Sequence, residues 1–471
     1  MSLDSLRSGK LEVHRLEEDN LTLRSQFKNA SITDTNNHNL NQCEASGSPP
    51  NKKSCNPGVA VSPSWTDFLE VPFHNKTFIS LPNLPTSQKS QISSFSCGYD
   101  WLSSHSEHLN AIEDGLHYFV ESCDSLQGFH LLSDMHTGFC GITQRLLELL
   151  NDDYERKLIL SFPVTPSNIQ LNTTTERSHF LFNAASTTAK HSQHVNGCIP
   201  ISLCVSPYDK RNLPDISQNV RKFDHVNFNP LSLLHTSAVV ASYLESITTS
   251  WRQFEIPDRL NDVINKLSLS RRNFFTGSLS LPLGLQLDRS ILDWTSNLKS
   301  LNKYIPAVAL TPYNYVDGDI SHSKDTSKTE FITLRGSKCF ARSKLQDSCP
   351  SYYGENPAEA LWGLYGDKCV YSCISYAEQP VPTADPFPNI FSAHVNADGM
   401  IRREMDMSVP TGVTSVPTLS RIESSPKVCA YFNELIECGK RLKGASQQFC
   451  EFDEFSEITE VLYNLSEIHG E

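Results

Sequence analysis

Residues 112–167 read IEDGLHYFVESCDSLQGFHLLSDMHTGFCGITQRLLELLNDDYERKLILSFPVTPS, and the order of patterns in this stretch decides the fold. Ile112, Leu116, Phe119 and Val120 fall on one face at helical spacing. Leu126-Gln127-Gly128 then leads into a short apolar strand at 129–132. Residues 133–141 read as a loop, and 142–150 as a second helix with leucines at 146, 147, 149 and 150. Asn151-Asp152-Asp153-Tyr154 end that helix. Leu158-Ile159-Leu160-Ser161-Phe162 is a buried strand, expected to stop at Pro163 because proline cannot donate to a ladder. Strand, loop, helix and parallel strand make a βαβ unit, and the loop after its first strand is where open α/β sheets bind ligands.

Outward from this block, 64–249 alternates helices and strands as an α/β domain requires. Trp65, Phe68 and Leu69 form an apolar stripe after a Ser62-Pro63-Ser64 cap. Residues 181–189 and 231–246 are the other strong helical stretches, the latter with Leu231, Leu234, Ala238, Ala241 and Leu244 along one face. Strands at 274–282 and 330–334 point to a second, α+β domain over 250–345. The region 346–471 closes with helices at 428–442 and 452–468, while 380–388 and 415–426 read as loop. Residues 29–63, with NNHNLNQ, SGSPPNKK and NPG in succession, cannot bury enough apolar surface to offset ordering entropy and read as a disordered insertion.

Composition removes several function classes. The 471 residues are 38% hydrophobic and carry a formal net charge of −13, with basic residues in short scattered pairs such as Lys210-Arg211 and Arg271-Arg272. A nucleic-acid partner needs a clustered basic surface, so none is expected. No run of 18 or more apolar residues occurs, which excludes a spanning helix of the usual kind. Residues 1–20 show no apolar core of a secretory signal, and Glu12, Glu17, Glu18 and Asp19 argue against a mitochondrial presequence. The fourteen cysteines include no CxxC, and Cys369 and Cys373 stand without a partnered Cys or His pair at zinc-finger spacing. Free thiols are therefore expected. His105 with His108, and His191 with His194, have an i,i+3 spacing but no further ligands at metal-site spacing, so no metal is expected. No GxSxG, Walker A, HExxH or kinase signature occurs.

Cys123, Leu126-Gln127-Gly128-Phe129, Ser133, Tyr154, residues 158–161 and Pro166-Ser167 together resemble the tubulin/FtsZ superfamily. Weaker matches follow in the same order at Gly9-Lys10-Leu11, 65–69, 178–203, 228–248 and 276–282. Where tubulin carries its GGGTGSG phosphate loop, this chain has Asp134-Met135-His136-Thr137-Gly138-Phe139-Cys140-Gly141. A tubulin-like frame with that changed loop is similar to the Misato family, divergent tubulin relatives tied to mitochondrial distribution and morphology. The resemblance implies a tubulin/FtsZ-like α/β fold: a three-layer nucleotide-type domain with a parallel central sheet, then an α+β domain and terminal helices. It also implies that 1–28 is the remnant of a longer N-terminal segment, because nothing in 1–20 matches the family's Gly-Gln-x-Gly-Asn turn. The expectation is a chain that begins late relative to the family.

A tubulin-type loop binds phosphate because glycines let the backbone approach and the following helix presents N–H donors. Thr137-Gly138 echoes the signature, but Met135, His136, Phe139 and Cys140 place bulky side chains there, and Asp134 adds a negative charge. Nucleotide binding is expected to be lost, leaving neither GTP nor another cofactor. The superfamily's hydrolytic acids come from the loop before the helix around Asn261, and Pro257-Asp258-Arg259-Leu260-Asn261-Asp262 has no matching acid pair. The resulting expectation is a non-enzymatic scaffold for mitochondrial organisation, in the cytoplasm or peripherally at the outer mitochondrial membrane. Its partners would be proteins, with tubulin or its folding chaperones as candidates. The alternative is a GTP-binding switch or polymerising GTPase. A peripheral membrane binder would need a basic amphipathic helix, whereas residues 452–468 pair an apolar stripe with an acidic face. That stripe reads as a packed helix, and the acidic face as solvated or as a docking surface for a basic partner.

Overall fold

The computed structural model describes residues 74–77, 79, 93–209, 215–252, 259–268, 271–284, 307–313, 329–336, 370–384, 386–401, 412–442 and 452–470. The expected insertion at 29–63, the segment 1–28 and the Trp65 helix lie outside these residues. Two compact units divide the chain, residues 1–83 with 107–122 and residues 84–106 with 123–471. Helix α1 (Phe95–Ser104) belongs to the second unit, and all but the first residue of α2 (Ser106–Glu121) to the first.

In the first unit Ile112, Leu116, Phe119 and Val120 of α2 are half-buried. His74 stacks on Tyr118 at 5.2 Å between ring centroids, and Lys76 sits 5.0 Å above the same ring.

The second unit opens with β1 (Gly128–Asp134), α3 (Phe139–Asp153) and β2 (Leu158–Thr165). β1 and β2 run parallel, from Gly128 beside Leu158 to Asp134 beside Val164, so the expected βαβ unit is present. Two boundaries differ from the sequence reading. The loop shrinks to 135–138, because α3 starts at Phe139. β2 also continues through Pro163: its far side pairs with β3 (Gly197–Cys198) at Leu160 and Ser161, then with β4 (Ile201–Ser202) at Val164 and Thr165. Pro163 falls in the gap between those partners, where a missing N–H costs nothing.

Between β2 and β3 runs α4 (Thr174–His194), longer than the expected 181–189. Its start is fixed by a reciprocal cap: Glu176 N–H donates to Thr173 Oγ1 (3.1 Å), and Thr173 N–H to Glu176 Oε2 (3.0 Å). Helix α5 (Leu233–Arg252) begins after Leu231, which is exposed. Ala241 is exposed as well, whereas Ala238 is buried and Leu244 packs against the core, so the expected stripe is only partly the buried face. The rest of that face is formed by Thr236, Val239, Tyr243, Ser246, Ile247 and Ser250, a mixed polar and apolar set that hydropathy alone does not pick out.

After α6 (Leu260–Leu267) comes a second sheet of β5 (Thr276–Ser280), β6 (Val308–Ala309), β7 (Thr329–Arg335), β8 (Tyr371–Ala377) and β11 (Thr418–Ser424), ordered β6-β5-β11-β7-β8. The pair β7/β8 is parallel and the rest antiparallel. β9 (Val381–Pro382) and β10 (Ser415–Val416) form a separate antiparallel pair. The expected loop at 415–426 is therefore corrected: β11 is the central strand of the second sheet. Its sequence TLSRIES looks like solvated loop, yet Arg421 reaches Glu330 (3.5 Å) and Glu423, and Lys427 reaches Glu423 (3.1 Å). Pairing lets these charges be buried.

The core lies between the sheets. Val239, Tyr243, Ile247 and Trp251 of α5 and Val263, Ile264 and Leu267 of α6 pack with Leu160, Phe162 and Ile201 on one side and Leu279, Phe331 and Ile422 on the other. Two final helices, α7 (Cys429–Leu442) and α8 (Phe452–Gly470), pack on α4. Phe455, Ile458, Leu462 and Leu465 of α8 are buried and Glu457, Glu460 and Glu467 exposed, the amphipathic packing that their spacing predicts.

Candidate functional site

The loop that follows β1 lies at the carboxyl ends of parallel strands, where ligands enter open α/β sheets. Its chemistry is dominated by Asp134. Oδ1 accepts the backbone N–H of His136 (2.6 Å), Oδ2 accepts the hydroxyl of Thr137 (2.5 Å), and the His136 ring pairs with the same carboxylate. Burial would raise the Asp134 pKa, but the His136 ring and N–H and the Thr137 hydroxyl outweigh it and hold the carboxyl below its ordinary value.

Five further N–H groups are also directed inward. Met135 N–H donates to Val164 O, Phe139 N–H to Thr137 Oγ1, Cys140 N–H to Thr137 O, and Gly141 and Ile142 N–H to Gly138 O. An anion site at a helix N-terminus needs such groups aimed outward. Here the loop folds around a carboxylate of its own.

Its side chains divide between core and surface. Met135 and Cys140 were expected to crowd a phosphate. Both are instead fully buried, Met135 beneath the loop and Cys140 on the inner side of the first turn of α3. Met135 Sδ receives the hydroxyls of Tyr208 (3.8 Å) and Tyr431 (4.0 Å). Cys140 Sγ donates to Thr137 O, and burial pushes its pKa up to about 12, which removes it as a nucleophile. His136 is half-buried and Phe139 is exposed. Gly138 and Gly141 both lie against the backbone of α1. A Cβ on Gly141 would stand 1.9 Å from Phe95 O.

Asn183 of α4, fully buried, fastens this assembly. Its Oδ1 accepts Phe95 N–H (2.8 Å), and its Nδ2 donates to Ser93 O (2.8 Å) and His136 O (3.0 Å). Sequence reasoning missed Asn183, and also Gly98, Tyr208 and Tyr431, because nothing local distinguishes them. Elsewhere, His191 is buried with Nδ1 3.3 Å from Ser161 Oγ. Asp262 is the acid borne by α6, whose Lys266 lies 5.3 Å from the Tyr371 ring. Pro257 and Asp258 lie outside the described residues.

Comparison with known proteins adds to this geometry. The tubulin domain family matches residues 59–253, a span that includes β1, the loop and α3. Protein misato homolog 1 of Danio rerio is 26% identical over 421 residues, covering 85% of this chain and 68% of that protein. Protein misato of Drosophila melanogaster is 25% identical over 435 residues, covering 88% and 72%. Over most of its length the chain is similar to the Misato proteins, at about a quarter identity, and it carries a tubulin-type domain. Protein misato homolog 1 of Homo sapiens is 25% identical over 371 residues, and the chain spans 61% of its length. In this chain the tubulin-like strand–loop–helix frame persists, while the loop inside it is closed by Asp134, Thr137 and the contact with α1.

Proposed function

We propose that this Misato-like chain is a non-enzymatic, tubulin-like scaffold that serves the distribution and shape of mitochondria from the cytosol or the outer mitochondrial surface. The observation that carries the non-enzymatic part is the Asp134 carboxylate, held inside the loop by His136 and Thr137. A second anion brought to the same donors would meet that charge and find the donors taken. The mitochondrial part rests on the family resemblance at Leu126-Gln127-Gly128-Phe129 and 158–161. Protein partners, tubulin and its folding chaperones among them, follow from the same resemblance. Leu132, Phe139, Leu231 and Leu233, exposed at the carboxyl side of the first sheet or at the start of α5, offer them apolar contacts. No helix among the described residues is long and apolar enough to cross a membrane, which is compatible with peripheral attachment.

The alternative, a GTP-binding switch, draws support from the retained strand–loop–helix frame. Titration of the purified chain with GTP and GDP separates the two. The scaffold reading expects no saturable binding and no turnover above a heat-killed control. Turnover abolished by a Gly138 substitution would overturn it. For location, protease added to intact mitochondria should remove the organelle-associated pool, and alkaline wash should extract most of it. Protection without detergent would place the protein inside and end the outer-surface reading.

A further inference from the structure

Helix α8 is tied at its last turn to the junction between the two sheets. Phe274 pairs with Cys198 of β3, Phe275 N–H donates to Cys198 O (2.8 Å), and Thr276 then begins β5. At that junction Phe274 N–H donates to His469 Nε2 (3.1 Å). A backbone N–H can only donate, so Nε2 carries no proton, and Nδ1–H donates to Leu465 O (2.9 Å). The ring is fully buried, edge-on to Phe274 and Phe432 at 6.0 and 5.2 Å.

Fully buried Arg272, two residues before Phe274, is the charged group that acts on the ring. From α7, Cys429 lies against the same turn, its thiol 3.4 Å from Ser466 O and pushed up by burial. On α4, His191 faces Ser161, and Lys190 is turned to Glu457 (3.8 Å), about three turns back along α8. Glu467 on α8 itself is exposed.

We propose that α8 is a proton-releasable clamp on the junction between the sheets, seated only while His469 is neutral. A proton on Nε2 would set two N–H groups against each other and place a second cation beside Arg272. Burial pulls the seated ring from 6.5 down to about 4, opposed by the Leu465 carbonyl and reinforced by Arg272. The sign follows: a released His469 takes up its proton near 6.5, and a seated one only near 4. The opening equilibrium is therefore flat above about 6.5, rises roughly tenfold per pH unit below it, and levels off near about 300-fold.

Hydrogen exchange of amides 455–468 in the full chain, from pH 7.5 to 4 and corrected for intrinsic rates, tests this. Protection should fall on that schedule in the wild type and stay flat in H469Q, whose side-chain oxygen accepts from Phe274 without titrating. Equal slopes in both, or no slope in the wild type, would overturn the proposal. If H469Q does not seat α8 at neutral pH, the ring titration in the wild type decides by NMR. A seated ring that stays neutral below pH 5 supports the clamp, and one that titrates near 6.5 overturns it.

Discussion

Gly98 of α1 lies against Gly138 so closely that a Cβ on Gly98 would stand 1.7 Å from the Gly138 carbonyl oxygen. Two helix starts therefore meet backbone to backbone, and the glycine that echoes a phosphate loop takes part in helix packing. Gly98→Ala should force the helices apart and cost about 3 kcal/mol, the upper end for overpacking. Gly412→Ala, where a Cβ would meet nothing within 4 Å, should stay within about 0.5 kcal/mol. Urea unfolding of both variants checks this, and equal midpoints would refute the contact.

Met135 fills the space beneath the loop against Tyr208 and Tyr431. Met135→Ala should cost about 2–5 kcal/mol through the cavity it leaves. Met135→Leu, which conserves volume, should cost less than about 1.5 kcal/mol. If the alanine variant proved as stable as the leucine one, the side chain would not be a core residue. Thermal and denaturant unfolding measure both.

Asn183 makes three buried hydrogen bonds to two segments. Asn183→Ala would leave Phe95 N–H, Ser93 O and His136 O without it, at roughly 3 kcal/mol or more in total. Loss of protection should appear first at the start of α1 and in the 135–138 loop, as read by hydrogen exchange. A uniform loss across the second unit would show that Asn183 supports the whole fold and not this joint.

His191 gives the fold an acid-sensitive component separate from His469. Burial, with His194 adding to it, pulls His191 from 6.5 down to about 3. A depressed histidine contributes stability that is complete above about 6.5 and is lost as pH falls toward 3, because the unfolded chain binds the proton first. His191→Asn should therefore reduce the slope of stability between pH 6 and 4 by about 1.4 kcal/mol per unit. Urea midpoints across that range, compared with the wild type, provide the measurement. An unchanged slope would mean that the ring is accessible to protons in the folded state.

The βαβ frame and the paired terminal helices are legible in the chain alone, because each is written in local periodicity and residue type; the changed phosphate loop is legible through the resemblance to tubulin. The run Leu158-Ile159-Leu160 can only be a buried strand, and Phe455, Ile458, Leu462 and Leu465 can only be one face of a helix. Tertiary structure decided what local pattern leaves open. β11 reads as loop until Glu330 and Lys427 neutralise its charges. Pro163 reads as a stop until the gap between β3 and β4 is seen. At the site, sequence supplied Asp134 as a charge that repels phosphate. Only the fold turned its carboxylate onto His136 and Thr137, and brought Tyr431 to Met135 from 296 residues away. Periodicity reports which face of an element is buried; which partner meets it depends on contacts between segments distant in the chain, and those form only when the sheets and helices pack.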